Sequence, residues 1–238
     1  MRDDYKALLF DMGYTLVYFE PPTRAIIRTA LRDVGVERSE HEIEAAIEAV
    51  WGAYYHQAAT ATFPPTEAHD RQTQKRLSER LLTELGLPAQ DLVTTYRRSI
   101  EARFDRPGVV RPYAEVADVL IRLKEMGYRL GIVSNWSWNL RQRVAQAGLA
   151  DFFEVVWASA YAGCNKPHPA IFHQALEQMG VPPQRALYVG DSYDHDVVGA
   201  RNAGLDAVLL DREGTAQSPD CPLIRDLRQL EALLGLSQ

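Results

Sequence analysis

The sequence reads as an α/β protein: a parallel sheet covered by helices on both faces, with a helical segment inserted near its start. Three observations predict this. From about Gly108 onward, short apolar strands alternate with helical stretches of roughly 10–15 residues, the signature of βαβ units. Between Val17 and about Pro107 there are several helical patterns and no convincing strand. Before both lies a short apolar run, Ala7-Leu8-Leu9-Phe10, that stops abruptly at Asp11, as a buried strand ending in a turn would.

In chain order, that first strand gives way to helical patterns at Ile26–Leu31, Ile43–Val50, Leu77–Leu85 and Leu92–Phe104. They are punctuated by Pro21-Pro22, Phe63-Pro64-Pro65-Thr66 and Gly86-Leu87-Pro88. Val116, Val119, Leu120 and Leu123 share a helical face that stops at Gly127. Arg129–Val133 is a strand running into Ser134-Asn135, followed by a helix carrying Leu140, Val144 and Ala147. Phe153–Trp157 is the next strand, and Pro167 and Pro169 open a helix that Gly180 closes. Strand Ala186–Val189, a helix from about Tyr193 to Ala203, strand Ala207–Leu210 and a terminal helix Leu227–Leu234 complete the pattern.

A chain of 238 residues with 46% hydrophobic and 24% charged residues can bury a substantial core. A net charge of −6 gives no surface-wide attraction for nucleic acid or an anionic membrane, and no apolar run approaches the ~20 residues of a membrane span. The first strand follows Met1 so closely that no signal peptide is expected. Cys164 and Cys221 lie far apart without metal-type spacing, as expected of reduced thiols in a cytoplasmic protein. Nothing in the sequence sets an oligomeric state.

Four polar clusters follow four strands: Asp11; Ser134-Asn135; Lys166; and Gly190-Asp191 with Asp194 and Asp196. In a parallel sheet such strand ends face one edge, so these groups can converge. A carboxylate nucleophile, a hydroxyl, a lysine and further carboxylates suit phosphoryl transfer. Asp11 and Asp191 offer hard oxygen ligands for Mg²⁺, and Ser134, Lys166 and the amides after Asp11 can hold phosphate oxygens.

Phe10-Asp11-Met12-Gly13-Tyr14-Thr15-Leu16, Ile132-Val133-Ser134-Asn135, Asn165-Lys166-Pro167 and Val189–Asp196 together resemble the haloacid dehalogenase superfamily, whose members are mostly Mg²⁺-dependent phosphatases. The resemblance implies a Rossmann-like three-layer core made of residues 1–16 and 108–238, with residues 17–107 as an inserted α-helical cap domain. It implies that Asp11 attacks phosphorus, assisted by Lys166, in a small phosphorylated substrate. Met12, Gly13, Ser134, Asn135 and Lys166 would hold the phosphoryl group. Mg²⁺ would sit on Asp11, the Gly13 carbonyl and Asp191, with Asp196 behind them or acting through water.

The chain departs from the family at Gly13, where phosphatases usually carry an aspartate that protonates the leaving group and activates water. Such help is typically worth about 10²–10⁴-fold. Family dehalogenases also lack that aspartate, but their last motif runs through serines and an asparagine. Gly190-Asp191 and Asp196 therefore favour Mg²⁺ and phosphate over a 2-haloacid. A phosphate-binding or regulatory protein is the remaining alternative, disfavoured because Asp11, Lys166 and Asp191 are all present. His168 and His195 read as solvent-facing helix-start residues, or else as acid–base substitutes for the missing aspartate. Trp51, Tyr54 and Tyr55 read as packing inside the helical segment, or else as a specificity wall near Trp136 and Trp138.

Overall fold

The computed structural model describes residues 4–217 and 219–235. The chain runs β1 (Ala7–Phe10), β2 (Val17–Phe19), α1 (Thr23–Arg32), α2 (Glu40–Ala58), α3 (Glu67–Glu84), α4 (Ala89–Phe104) and β3 (Val110–Pro112). It continues through α5 (Val116–Glu125), β4 (Arg129–Ser134), α6 (Leu140–Gln146), β5 (Val155–Ala158), α7 (Ser159–Ala162) and α8 (Pro169–Met179). Last come β6 (Ala186–Gly190), α9 (Gly199–Asn202), β7 (Asp206–Leu210), β8 (Leu223–Ile224) and α10 (Gln229–Leu233).

Six strands form one parallel sheet in the order β5-β4-β1-β6-β7-β8. All four β1 side chains are fully buried, because a strand flanked by helical layers has no solvent face. Leu8 and Phe10 pack with α5, α6 and α10 on one face; Ala7 and Leu9 pack with α8 and α9 on the other. This is the three-layer α/β sandwich expected. The chain moves outward from β1 through β4 to β5, then returns to the other side of β1 for β6. That reversal makes the carboxyl end of β1 the crevice where such sheets bind ligands.

Helices α1–α4 have a separate core in which Ile27, Leu31, Ile43, Leu81, Leu82 and Tyr96 are buried together. The reading of no strand between Val17 and Pro107 needs correction. Val17–Phe19 pairs antiparallel with Val110–Pro112 as a two-stranded ribbon where the helices leave and rejoin the core. Three residues give too short an alternation to register as a strand. The two-residue β8 escaped for the same reason. The helix expected from Tyr193 begins as a wide turn, in which the Val197 N–H reaches back five residues to the Ser192 carbonyl at 3.3 Å.

Candidate active site

The loop after β1 is wound tightly. The Leu16 and Val17 amides both donate to the Met12 carbonyl at 3.0 Å, and the Tyr14 amide donates to the Val17 carbonyl at 2.6 Å. These bonds hold Tyr14 in the left-handed region at φ 56°, a strained conformation for a bulky side chain. The Met12 and Gly13 amides are not used within the loop.

Arg212, just past β7, secures this loop from outside. It donates to the Tyr14 carbonyl at 3.2 Å and the Thr15 carbonyl at 2.8 Å, and pairs with buried Glu115 at 2.7 Å. Its guanidinium lies 3.6 Å from the Tyr113 ring centroid. Arg212→Met would strand the Glu115 carboxylate, and a loss of about 3 kcal/mol in denaturant unfolding is expected. Arg212→Lys should keep more stability but release one loop carbonyl, lowering turnover more than substrate affinity.

Asp11 is buried at the end of β1. Its Oδ1 accepts from Ser134 Oγ at 2.8 Å and Lys166 Nζ at 2.6 Å; among the described residues none donates to Oδ2. Ser134, at the end of β4, points directly at that carboxylate. Lys166 is itself buried and is held also by Tyr188 Oη at 2.9 Å and Asp196 Oδ1 at 2.6 Å. The Tyr188 hydroxyl donates to the Val133 carbonyl at 2.6 Å, which leaves its oxygen to receive the lysine. Asn135 makes a reciprocal pair with the Lys166 backbone, accepting from its N–H at 2.7 Å and donating to its carbonyl at 3.1 Å. Ser134 and Lys166 thus converge on Asp11, and Asn135 fixes the lysine's backbone.

Asp196 Oδ2 accepts from the Ser192 amide at 2.9 Å while Oδ1 takes Lys166, so this carboxylate orients the lysine. Gly190 is required for that packing, since a Cβ there would lie 2.3 Å from the Asp196 carboxyl. Asp191 accepts from Thr15 Oγ1 at 3.1 Å and keeps contact with solvent. Asp194 is exposed, in keeping with a helix-start residue.

The charges do not balance. Asp11, Asp191 and Asp196 each bring an oxygen within 4.8 Å of the others, and Lys166 is the cation hydrogen-bonded among them. Burial, and then the Asp196 charge, raises the Asp11 carboxyl against the opposing pull of Lys166. The atoms packed around Asp191, and then the charges of Asp11 and Asp196, push its carboxyl up to about 7. Burial alone would lower Lys166, but Asp11 and Asp196 hold it above its ordinary value. An all-oxygen donor set with surplus negative charge fits a hard divalent cation such as Mg²⁺.

Helices α1–α4 meet the core beside this cluster. Asp70 of α3 accepts from the Trp138 amide at 3.0 Å, and the Phe63 amide donates to the Gly163 carbonyl at 2.7 Å. Asn165 Nδ2 donates to the Tyr54 hydroxyl at 3.2 Å. The Tyr55 ring lies 5.1 Å from that of His195, and burial pushes the Tyr55 hydroxyl up to about 12. His195 is therefore half-buried against α2, not solvent-facing as expected, because the helical segment folds over it. His168 does start a helix, its Nδ1 accepting from the Ala170 amide at 3.2 Å. A cavity of about 1180 Å³ lies along this junction. Tyr14, Asn135 and Asn165 line it; Asp11 itself does not. Trp51, Tyr54 and Tyr55 face that cavity, so packing within the helical segment is not their whole role.

Residues 5–204 match the family model of the haloacid dehalogenase-like hydrolases. The chain belongs to that family. It is 31% identical over 251 residues to a phosphoserine phosphatase of Thermus thermophilus, covering 94% of this chain and 97% of that protein. It is 35% identical over 138 residues to a glyceraldehyde 3-phosphate phosphatase of Methanothermobacter thermautotrophicus, a match spanning 53% of this chain and 60% of that relative's length. A solved phosphatase of the same family from Thermococcus onnurineus superposes with a TM-score of 0.68 at 27% identity, covering 97% of this chain and 98% of that one. In this haloacid dehalogenase-like hydrolase, no described helix is long and apolar enough to cross a membrane.

Tyr188 and Arg212 were not legible as functional residues. Tyr188 sits inside an apolar strand and looks like core. Arg212 follows β7 at the same sheet edge as Asp11, and its position after a strand is the signal that could have singled it out.

Proposed function

We propose that the protein is a Mg²⁺-dependent phosphatase acting through an aspartyl-phosphate at Asp11, with residues 17–107 serving as a cap over the site. The observation that carries this reading is the buried Asp11 carboxylate whose Oδ1 is held by both Ser134 and Lys166, with its Oδ2 left to react. Asp11, Asp191 and the Gly13 carbonyl would hold the Mg²⁺, with Asp196 behind them. Bound there, the cation offsets the repulsion between the carboxylate and an anionic phosphate.

Asp11 Oδ2 attacks phosphorus while Ser134, Lys166 and the Met12 and Gly13 amides hold the equatorial oxygens. Lys166, fixed by Tyr188 and Asp196, stabilises charge without moving. The cap excludes bulk water during transfer, and water then hydrolyses the acyl phosphate. Thr15 and Arg212 keep the nucleophile loop in place.

Phosphate release with Mg²⁺, measured beside 2-chloropropionate turnover without metal, tests the reading. Phosphate release that collapses on chelation is expected. Metal-independent halide release would replace this reading with a dehalogenase, and phosphate binding without turnover would make the protein a binding module.

The raised Asp191 carboxyl gives a pH dependence. Below about pH 7 protons compete for this ligand, so apparent Mg²⁺ affinity should fall as pH drops from about 8 to 6, by up to roughly tenfold per unit. Because the folded value lies above the unfolded one, Asp191 favours the metal-free fold at low pH, and that contribution is lost as pH rises through about 7. Thermal unfolding should therefore show Mg²⁺ stabilising the protein more at pH 8 than at pH 6; equal stabilisation at both would contradict this assignment.

A further inference from the structure

The cavity beside the Asp11 cluster is rich in rings and poor in free positive charge, and this bears on the substrate if the phosphatase reading holds. Trp51, Tyr54, Tyr55 and Phe63 face it from the helical segment, and Trp136 and Trp138 from the loop after β4. Its walls carry four arginines against seven carboxylates, so a second anionic group on the substrate would enter a surplus of negative charge. The arginines are already engaged: Arg24 with Glu40 at 3.1 Å, Arg71 with Glu67 at 3.5 Å, Arg143 with Asp105 at 2.7 Å, and Arg97 with Glu101.

The nucleophile loop also lacks a carboxylic acid to protonate the departing oxygen. Gly13 has no side chain, Thr15 donates to Asp191, and the Tyr14 hydroxyl lies 3.5 Å from Thr23 Oγ1. Lys166 is tied to three oxygens. A leaving group that departs without protonation suits such a site. A phenol ionises near pH ~10, as tyrosine does, far more readily than an aliphatic alcohol.

We infer that the substrate is a phosphate monoester of a phenol, or of a comparably acidic ring-bearing hydroxyl compound, with no second anionic group. The ring occupies the aromatic cavity while the phosphate reaches Asp11. Asp11 Oδ2 forms a bond to phosphorus as the bond from phosphorus to the aryl oxygen breaks. The electron pair leaves on that oxygen as a phenoxide, which takes its proton from solvent. Water then cleaves the acyl phosphate, giving inorganic phosphate and restoring Asp11.

Steady-state kinetics with Mg²⁺ on phenyl phosphate, glyceraldehyde 3-phosphate and phosphoserine test this. Phenyl phosphate should exceed both in kcat/KM by roughly 10- to 100-fold, the worth of one stacked ring. Glu101→Gln removes one wall carboxylate and frees Arg97, and should raise kcat/KM for phosphoserine by a larger factor than for phenyl phosphate; an equal change on both would overturn the role given to the wall charge. Titration in the presence of Mg²⁺ with phenylphosphonate should quench tryptophan fluorescence, and with 3-phosphonopropionate should not; equal quenching by both would overturn the inference. Glyceraldehyde 3-phosphate or phosphoserine turned over as well as phenyl phosphate would overturn the inference and leave the phosphatase reading standing. Turnover of none of the three would overturn both.

Discussion

Asp11→Asn is expected to lower phosphate release by roughly 10⁴-fold or more, since Asp11 is the carboxylate whose Oδ1 is held by both Ser134 and Lys166 while its Oδ2 is left to attack. The fold should survive the change. Folding raises the Asp11 carboxyl pKa, so the ionised form is disfavoured in the metal-free protein. An asparagine there should leave metal-free stability above pH 7 unchanged or higher, while Lys166 keeps Asp196 and Tyr188 as partners. Lost turnover with an undiminished thermal midpoint separates a chemical role for Asp11 from a structural one. A variant that lost both equally would point to structure.

Gly13→Asp is expected to act in the opposite direction, raising turnover of alkyl phosphates by roughly 10²-fold, at the low end of what a positioned acid–base group supplies. The backbone permits it. Gly13 is not in the left-handed region, and a Cβ there would meet only Trp136 Cζ3, at an ordinary 3.5 Å. The gain should be smaller for phenyl phosphate, whose leaving group needs no proton. Comparing the two substrate types in both proteins checks the idea. An equal gain on both would show that the aspartate helps water attack Asp11 more than it helps the leaving group depart.

How much was legible in the sequence depended on how local the signal was. Buried parallel strands are continuous apolar runs, so β1, β4, β6 and β7 stand out, and each polar group at a strand end inherits its position from the sheet. Asp11, Ser134 and Asp191 were found that way, whereas Lys166 follows α7 rather than a strand directly. The ribbon of β2 and β3 was not, because three-residue strands carry almost no periodicity and their pairing spans the whole helical insert. Long-range partners were hidden for a related reason. Nothing near Arg212 in sequence announces that it holds the Tyr14 and Thr15 carbonyls, and nothing near Tyr188 shows that its hydroxyl receives Lys166. His195 was misread because its environment comes from α2, far away in the chain.

Gly13 joins these levels. Its own amide and that of Met12 stay outside the loop's hydrogen bonds, yet it offers no acid or base. The aspartyl-phosphate should therefore form faster than it is hydrolysed, and it should accumulate.

Rapid-quench measurement with ³²P-labelled phenyl phosphate and Mg²⁺ tests the central claim most directly. A burst of labelled protein is expected, approaching one phosphoryl group per chain, released by hydroxylamine as an acyl phosphate is, mapping to the peptide that contains Asp11 and absent in Asp11→Asn. Steady phosphate release with no labelled protein at any time, or a label that persists in Asp11→Asn, would contradict it.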